Sequence, residues 1–197
     1  VTGSAGFVGR FMVDALLDEY GVIGLGHEPR PSWLPQDADW YQANLLKAGS
    51  MADLPTGLLA VVHLAGNTVP SAFKDDSAVR QNVEMTGNLL EHVDAERFLL
   101  ASSGLVYAPG RTPRTEESPI GPQGAYGRSK QLCEELVRSH SDHLSIRIAR
   151  PFNHIGPGMQ PDLAIPSIVR RVLDAKDHDG PIRMLGQDSV RDFIDVR

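Results

Sequence analysis

Three glycines spaced three residues apart, Gly3, Gly6 and Gly9, stand at the head of this chain and run straight into a segment of helical periodicity. Few folds ask for that arrangement, because each glycine answers a different steric demand. Gly3 permits a tight turn from a strand into a helix, and Gly6 lets backbone amides approach an anion. Gly9 lets the new helix pack closely on the strand before it. The pattern reads as a turn that cradles a pyrophosphate. Its spacing is one residue longer than the dinucleotide fingerprint opening with Gly-x-Gly, and a glycine-rich turn without a ligand is the competing reading. Only Val1 and Thr2 precede the motif where a full strand is expected, and the chain stops at Val196-Arg197 without a turn or cap. Both ends read as cut.

Downstream, short β-like runs alternate with helical patterns. Val8, Phe11, Met12, Ala15 and Leu16 share one helix face, and the run from Gly21 to Leu25 reads as a short buried strand. The stretch from His27 to Asp39 holds three prolines and reads as loop. A strand over Leu59 to Ala65 ends at Gly66, and Val79, Val83, Thr86, Leu90 and Val93 mark a helix face with Asn82 beside it. Then follow a strand over Arg97 to Ser102, a loop from Arg111 to Gln123, and a helix from Tyr126 to His140 with Leu132, Cys133, Leu136 and Val137 facing inward. A strand over Leu144 to Arg150, a loop over Pro151 to Pro161 and a helix over Ile165 to Ala175 complete the pattern. The charge alternation from Asp174 to Asp179 reads as a solvated helix end or loop. Such alternation predicts an α/β fold, a doubly wound parallel sheet with helices on both faces.

Composition narrows the function. A net charge of -6 leaves no basic excess for nucleic acid. No apolar stretch approaches the roughly 20 residues that span a bilayer, so no membrane partner is expected, and no secretory signal pattern opens the chain. The single cysteine, Cys133, excludes an internal disulfide and a multi-cysteine metal site, and the histidines lack metal-ligand spacing; no metal is expected and a cytoplasmic setting fits. His63, inside an apolar strand, reads as a hydrogen-bonded core residue, while His154 reads equally as structural or functional. Trp33 and Trp40 flank a loop and receive no functional account.

The chemistry gathers in Tyr126-Gly-Arg-Ser-Lys130, which sets a phenol and an ammonium one helical turn apart. A phenol of ordinary pKa near 10 is a poor base at neutral pH, and a nearby ammonium moves it toward the working range. Such pairs also occur on solvated helix faces. What distinguishes this one is Ser102-Ser103 at the end of a predicted strand, where open α/β sheets bind ligands and where a hydroxyl can share the reacting oxygen with the phenol. At the end of the second strand, where an acidic residue normally holds the adenosine ribose, stand Gly26 and His27, with Glu28 and Arg30 behind them. NAD and NADP both remain open, with NADP favoured.

The ordered set Gly3-x-x-Gly6-x-x-Gly9, His63-Leu-Ala-Gly66, Ser102-Ser-Gly-Leu-Val-Tyr107, Tyr126-x-x-x-Lys130, Arg150-Pro-Phe-Asn153 and Arg191-Asp-Phe-Ile-Asp-Val196 resembles the extended short-chain dehydrogenase/reductases that act on nucleotide sugars. Within that family, the segments from His63 to Phe73 and from Arg150 to Gly158 are most similar to the GDP-6-deoxy-D-mannose reductases, which reduce the 4-keto group of GDP-4-dehydro-6-deoxy-D-mannose. The resemblance implies a Rossmann-like NAD(P)-binding domain over residues 1–155 and part of a smaller substrate-binding region over 156–197. It implies Ser103, Tyr126 and Lys130 as the catalytic set. Gly3, Gly6, Phe7, Val8, Gly9, Asn44, Leu45, Leu64, Ala65, Gly66, Asn82, Pro151 and Phe152 would line the cofactor with Tyr126 and Lys130. Ser103, Gly104, Asn153 and Arg191 would contact the nucleotide-sugar substrate, the guanidinium fork suiting a diphosphate. A homodimer through the helices of Asn82 and Tyr126 is also implied. Asn44 stands where the family usually has an aspartate, and Ala108 replaces a usual glycine. The related 4,6-dehydratases carry an acidic pair after the catalytic Ser/Thr; Gly104 and Leu105 occupy those positions here and can neither remove a C5 proton nor expel water. Simple reduction is the leading expectation, with an NAD-dependent 4-epimerase and a non-enzymatic cofactor-sensing protein as alternatives.

Overall fold

The structure is a computed structural model and describes residues 1–161, 163–175 and 190–197. Two compact units divide it, Val1–Pro151 and Phe152–Arg197. The first unit runs α1 (Phe7–Leu17), β1 (Ile23–Gly26), β2 (Asp39–Gln42), β3 (Leu58–His63), α2 (Ser77–His92), β4 (Ala95–Ala101), α3 (Gly124–Arg138) and β5 (Ser145–Ala149). β1 pairs with β2, β3 with β4, and β4 with β5, all parallel. Thr2 joins the two groups, bridging in parallel to Leu25 on one side and His63 on the other. The spatial order is therefore β2, β1, Thr2, β3, β4, β5. Because every pairing is parallel, every strand delivers its C-terminal end to one edge, and the glycine turn leaves Thr2 at that same edge.

Both faces of this sheet are covered. Trp40 packs with Val13, Val22, Leu34 and Ala38 beside α1, whereas its neighbour Tyr41 packs against the cluster of Leu89, Phe98, Leu100, Cys133 and Val137 under α2 and α3. The strand alternation of period two sends adjacent side chains to opposite cores. Phe98 is fully buried, and truncating such a residue to alanine costs about 3–5 kcal/mol.

Two faces differ from the expected ones. The inward ridge of α1 centres on Gly9 and the fully buried Val13, with Leu16 and Leu17 against it, while Ala15 is exposed. Close approach at Gly9 turns the residue one turn later inward, a rotation that apolar periodicity alone does not register. On α3, Leu132 is 38% exposed and Glu134 is only 1% exposed. The charged side chain takes the inward position because three partners satisfy it there, as described below.

Short strands also escaped the sequence pattern. β2 follows the expected loop directly, and β6 (Asn153–Ile155) lies inside the stretch read as loop. β6 pairs in parallel with β7 (Phe193–Asp195), and α4 (Ala164–Asp174) completes the second unit. A three-residue strand is set by its distant partner rather than by local pattern. The charge alternation ending at Asp179 lies outside the described residues from position 176 onward. Among the described residues no helix is long and apolar enough to cross a membrane.

Candidate active site

The glycine turn closes onto the end of β3. Gly3 adopts φ +65°, and a Cβ there would lie 2.8 Å from the Ala65 amide nitrogen, so both conformation and space demand glycine. A Cβ on Gly9 would run into the Gly3 carbonyl oxygen. Gly6 is the N-cap of α1; no side chain caps that end and no acidic residue sits in the first turn, where Phe7 and Val8 are half-buried. The positive end of the helix dipole and its unbonded amides are thus left for an anion.

Thr2 fastens the neighbouring turn. Its Oγ1 accepts the Ala65 amide at 3.2 Å and meets His63 Nδ1 at 2.7 Å, and the Leu64 amide donates to its carbonyl at 3.3 Å. His63 Nε2 meets Thr86 Oγ1 at 3.1 Å. This histidine is 1% exposed, and burial, then the charges of Lys130 and the N-terminus, push its pKa down to about 3. It is the neutral, hydrogen-bonded core residue the strand pattern implied. Beyond it, the Asn82 Oδ1 accepts the Asn67 amide at 2.7 Å, and its Nδ2 donates to the Asn67 carbonyl and to Ser129 Oγ, each at 3.1 Å. That clamp holds Gly66 so near α3 that a methyl group on it would lie 3.7 Å from Lys130 Nζ.

Tyr126 and Lys130 face the ends of β3 and β4 from α3. Lys130 is 5% exposed and donates from Nζ to the Ala101 carbonyl at 2.8 Å, with its ammonium 5.9 Å from the Tyr126 ring centroid. The Ser103 side chain lies close enough to the Tyr126 phenol to draw its pKa down, and its Oγ accepts the Leu105 amide at 3.2 Å. Phe73 packs edge-on against the Tyr126 ring at 5.5 Å. The side chains of Ser103, Tyr126 and Lys130 therefore meet at one place, and Gly66, Ala65 and Gly3 connect that place to the glycine turn.

The electrostatics differ from the expectation. Burial pushes the Tyr126 phenol up to about 12, with the Ser103 hydroxyl drawing it only partly back. Lys130 does not bring it toward neutrality, because its ammonium is committed to Ala101 and is itself held below the usual lysine value by burial. At neutral pH the phenol is a proton donor, not a base.

The side expected to hold the adenosine ribose shows another departure. Arg30 donates to the carbonyls of Ala38 and Pro35, each at 2.8 Å, and Glu28 pairs with His27 at 3.2 Å. The guanidinium offered to a 2′-phosphate is bound to its own loop. Asn44 Oδ1 accepts the Leu46 amide at 3.0 Å; Leu45 is a core side chain whose carbonyl accepts from Asn88 at 2.8 Å. The Pro151 carbonyl accepts the Gly104 amide at 2.8 Å. In the second unit, Phe152 is exposed, Asn153 Nδ2 donates to the Asp192 carbonyl at 2.8 Å, Arg191 donates to the Val190 carbonyl at 3.1 Å, and burial lowers the pKa of the half-buried His154.

Sequence reasoning missed Glu134. Its carboxylate accepts from Ser102 Oγ at 2.5 Å, from Arg150 Nε and Nη2 at 2.8 and 2.7 Å, and from Arg138 at 2.9 Å. The signal lay in the spacing, since Tyr126, Lys130 and Glu134 recur every fourth residue on one helix face.

The whole chain, residues 1–197, matches the family model described as the NAD dependent epimerase/dehydratase family. It is 36% identical to the GDP-6-deoxy-D-mannose reductase of Pseudomonas aeruginosa, with all of this chain and 66% of that enzyme covered. Among solved structures it is similar to RMD from Pseudomonas aeruginosa complexed with NADPH (32% identity, TM-score 0.77, 98% of this chain and 68% of that one). It is also similar to UDP-glucuronic acid 4-epimerase from Bacillus cereus in complex with UDP-glucuronic acid and NAD (27% identity, TM-score 0.81, 99% and 68%). The chain spans about two thirds of the length of these relatives.

Proposed function

The chain belongs to the NAD-dependent epimerase/dehydratase family, and from that premise we propose that it serves an NAD(P)-dependent reductase acting on the 4-keto group of a nucleotide-activated 6-deoxyhexose, of the GDP-4-dehydro-6-deoxy-D-mannose type. The observation that carries this reading is the gathering of Ser103, Tyr126 and the buried Lys130 at the end of β4, with Gly104 rather than an acid next to Ser103, in a chain 36% identical to a GDP-6-deoxy-D-mannose reductase.

The glycine turn suits a dinucleotide, because Gly3 and Gly9 let the turn close tightly on the backbone of Ala65 and of Gly3 itself while the N-terminal end of α1 carries no side-chain cap. When bound there, the nicotinamide cofactor supplies the hydride. The protein's own groups do the rest. Ser103 donates to the carbonyl oxygen, and Tyr126 transfers its Oη proton to the alkoxide that forms. Lys130, fixed by Ala101, places its positive charge beside the phenolate left behind. Glycine at position 66 keeps a side chain out of the space between Asn82 and that ammonium. Asn153 and Arg191 take the sugar and diphosphate. With Gly104 and Leu105 after Ser103, no acid is at hand to eliminate water.

NADP is the favoured cofactor on two grounds: no carboxylate stands at Gly26, and the similar RMD structure is complexed with NADPH. Arg30 contributes nothing to that preference. The proposed cofactor domain, 1–155, extends past the first compact unit, Val1–Pro151, to include β6; the proposed substrate region begins at 156, and the proposed dimer forms through α2 and α3.

A 4-epimerase is the second reading, favoured by the likeness to the Bacillus cereus enzyme. One assay separates the two. Full-length protein mixed with NADPH and GDP-4-dehydro-6-deoxy-D-mannose consumes reduced cofactor in step with product if it is a reductase. Interconversion of 4-epimers with no net change in cofactor assigns the epimerase instead.

A further inference from the structure

Resting on the reading above, we propose that Glu134 is a positioning residue: through Ser102 it sets where the Ser103 hydroxyl meets the Tyr126 phenol.

A carboxylate that is 1% exposed is costly to bury unless paired and fully hydrogen-bonded. Glu134 meets that condition with donors from three elements. Arg138 comes from its own helix, the Arg150 fork from the end of β5, and Ser102 from the end of β4. The ion pairs with two arginines already satisfy charge and geometry. The Ser102 bond, at 2.5 Å the shortest of the four, is not required to neutralise anything. What it does is fix the first residue beyond β4, whose amide is held on the other side by the Ala149 carbonyl at 2.8 Å. The next residue is Ser103.

The connections run from one end of α3 to the other. Glu134 bonds Ser102; Ser102 is covalently joined to Ser103, which stands beside the Tyr126 phenol; and Tyr126, two turns before Glu134, is carried by the same helix. Lys130 lies between them on α3 and ties to Ala101, the residue before Ser102. Two consecutive residues at the end of β4, Ala101 and Ser102, are thus anchored to α3 immediately before Ser103, and Glu134 supplies the buried charge-assisted anchor. Loss of that anchor frees the Ser103 hydroxyl to move relative to the phenol. A displacement on the order of 1 Å at a reacting centre costs roughly a hundredfold in rate.

The test uses full-length Ser102→Ala, Ser102→Thr and Glu134→Gln. Ser102→Ala leaves both arginine pairs intact, so melting temperature and cofactor affinity stay near those of the unaltered protein while kcat for 4-keto reduction falls roughly 10–100-fold with KM little changed. Ser102→Thr keeps a hydroxyl at that position and recovers most of the rate. Crystal structures of Ser102→Ala and the unaltered protein give a readout that needs no substrate: in the variant the Ser103 hydroxyl is displaced relative to the Tyr126 phenol. Should Glu134→Gln fail to fold, the Ser102 pair still decides. A Ser102→Ala protein with unchanged kcat, or with the Ser103 hydroxyl in the same place relative to the Tyr126 phenol, overturns the proposal. If the unaltered protein does not reduce the ketone at all, the reductase reading fails and the crystallographic comparison decides the positioning role alone.

Discussion

Lys130 donates to the Ala101 carbonyl at 2.8 Å and lies beside the Tyr126 ring rather than on its hydroxyl. The ammonium is therefore parked on a strand end, where it accompanies the phenol without ionising it. That arrangement makes the lysine's role one of supporting the charge produced during reaction. Lys130→Met keeps the length and removes the charge. Its expected effect is a kcat loss of roughly a hundredfold or more, with melting temperature little changed because an ammonium no longer has to be buried. Steady-state kinetics and a thermal melt on the same preparation check it.

Tyr126→Phe removes only a hydroxyl. Turnover should fall by roughly 10²–10⁴-fold, the range for loss of a positioned proton donor, while cofactor affinity changes little. Titration of cofactor fluorescence beside the activity assay measures both. Retention of full biological effect and binding in a catalytically dead variant would favour the cofactor-sensing alternative.

Gly9→Ala places a methyl group against the Gly3 carbonyl. The backbone of the glycine turn must shift to accept it, at about 1–3 kcal/mol of stability. Dinucleotide affinity should drop along with melting temperature, whereas Gly21→Ala, where an added Cβ meets nothing, should leave affinity unchanged.

Acid sensitivity follows from His63. Its folded-state pKa is about 3 against an ordinary value of 6.5, so between those limits the unfolded chain binds a proton that the folded chain refuses. Stability is therefore fully present above pH 6.5 and is lost progressively as pH falls toward 3. Glu134, whose carboxyl is held below its ordinary value by Arg150, Ser102 and Arg138 against the opposing effect of burial, adds to the loss only below about pH 4.5. Chemical denaturation at a series of pH values should show a decline in that window for the unaltered protein and a shallower one for His63→Gln between pH 6.5 and 4.5.

The parts of this site made by local rules were legible in the sequence. Gly3 and Gly9 announce a turn because no other residue fits there, and Tyr126 and Lys130 meet because a helix repeats every 3.6 residues. The ends of the strand patterns at Gly66 and Ser102-Ser103 set Gly66 and Ser103 at one edge of a parallel sheet. What was not legible depended on partners distant in sequence. Glu134 turns inward because Ser102 and Arg150 are waiting for it, and Leu132 turns outward in consequence. Arg30 is claimed by the carbonyls of Ala38 and Pro35, which no charge count reveals. The phenol's upward pKa reflects burial, a quantity absent from the spacing of Tyr126 and Lys130. β6 exists only because β7 pairs with it.

The most direct test of the account is the path of the hydride. Full-length protein, NADPH carrying deuterium at the transferable position and the GDP-4-dehydro-6-deoxy sugar are incubated together, and the product is analysed by mass spectrometry and NMR. The account predicts one deuterium at C4 of the product sugar, with transfer lost in Tyr126→Phe. Product without deuterium at C4, or a labelled cofactor that is never consumed, contradicts it.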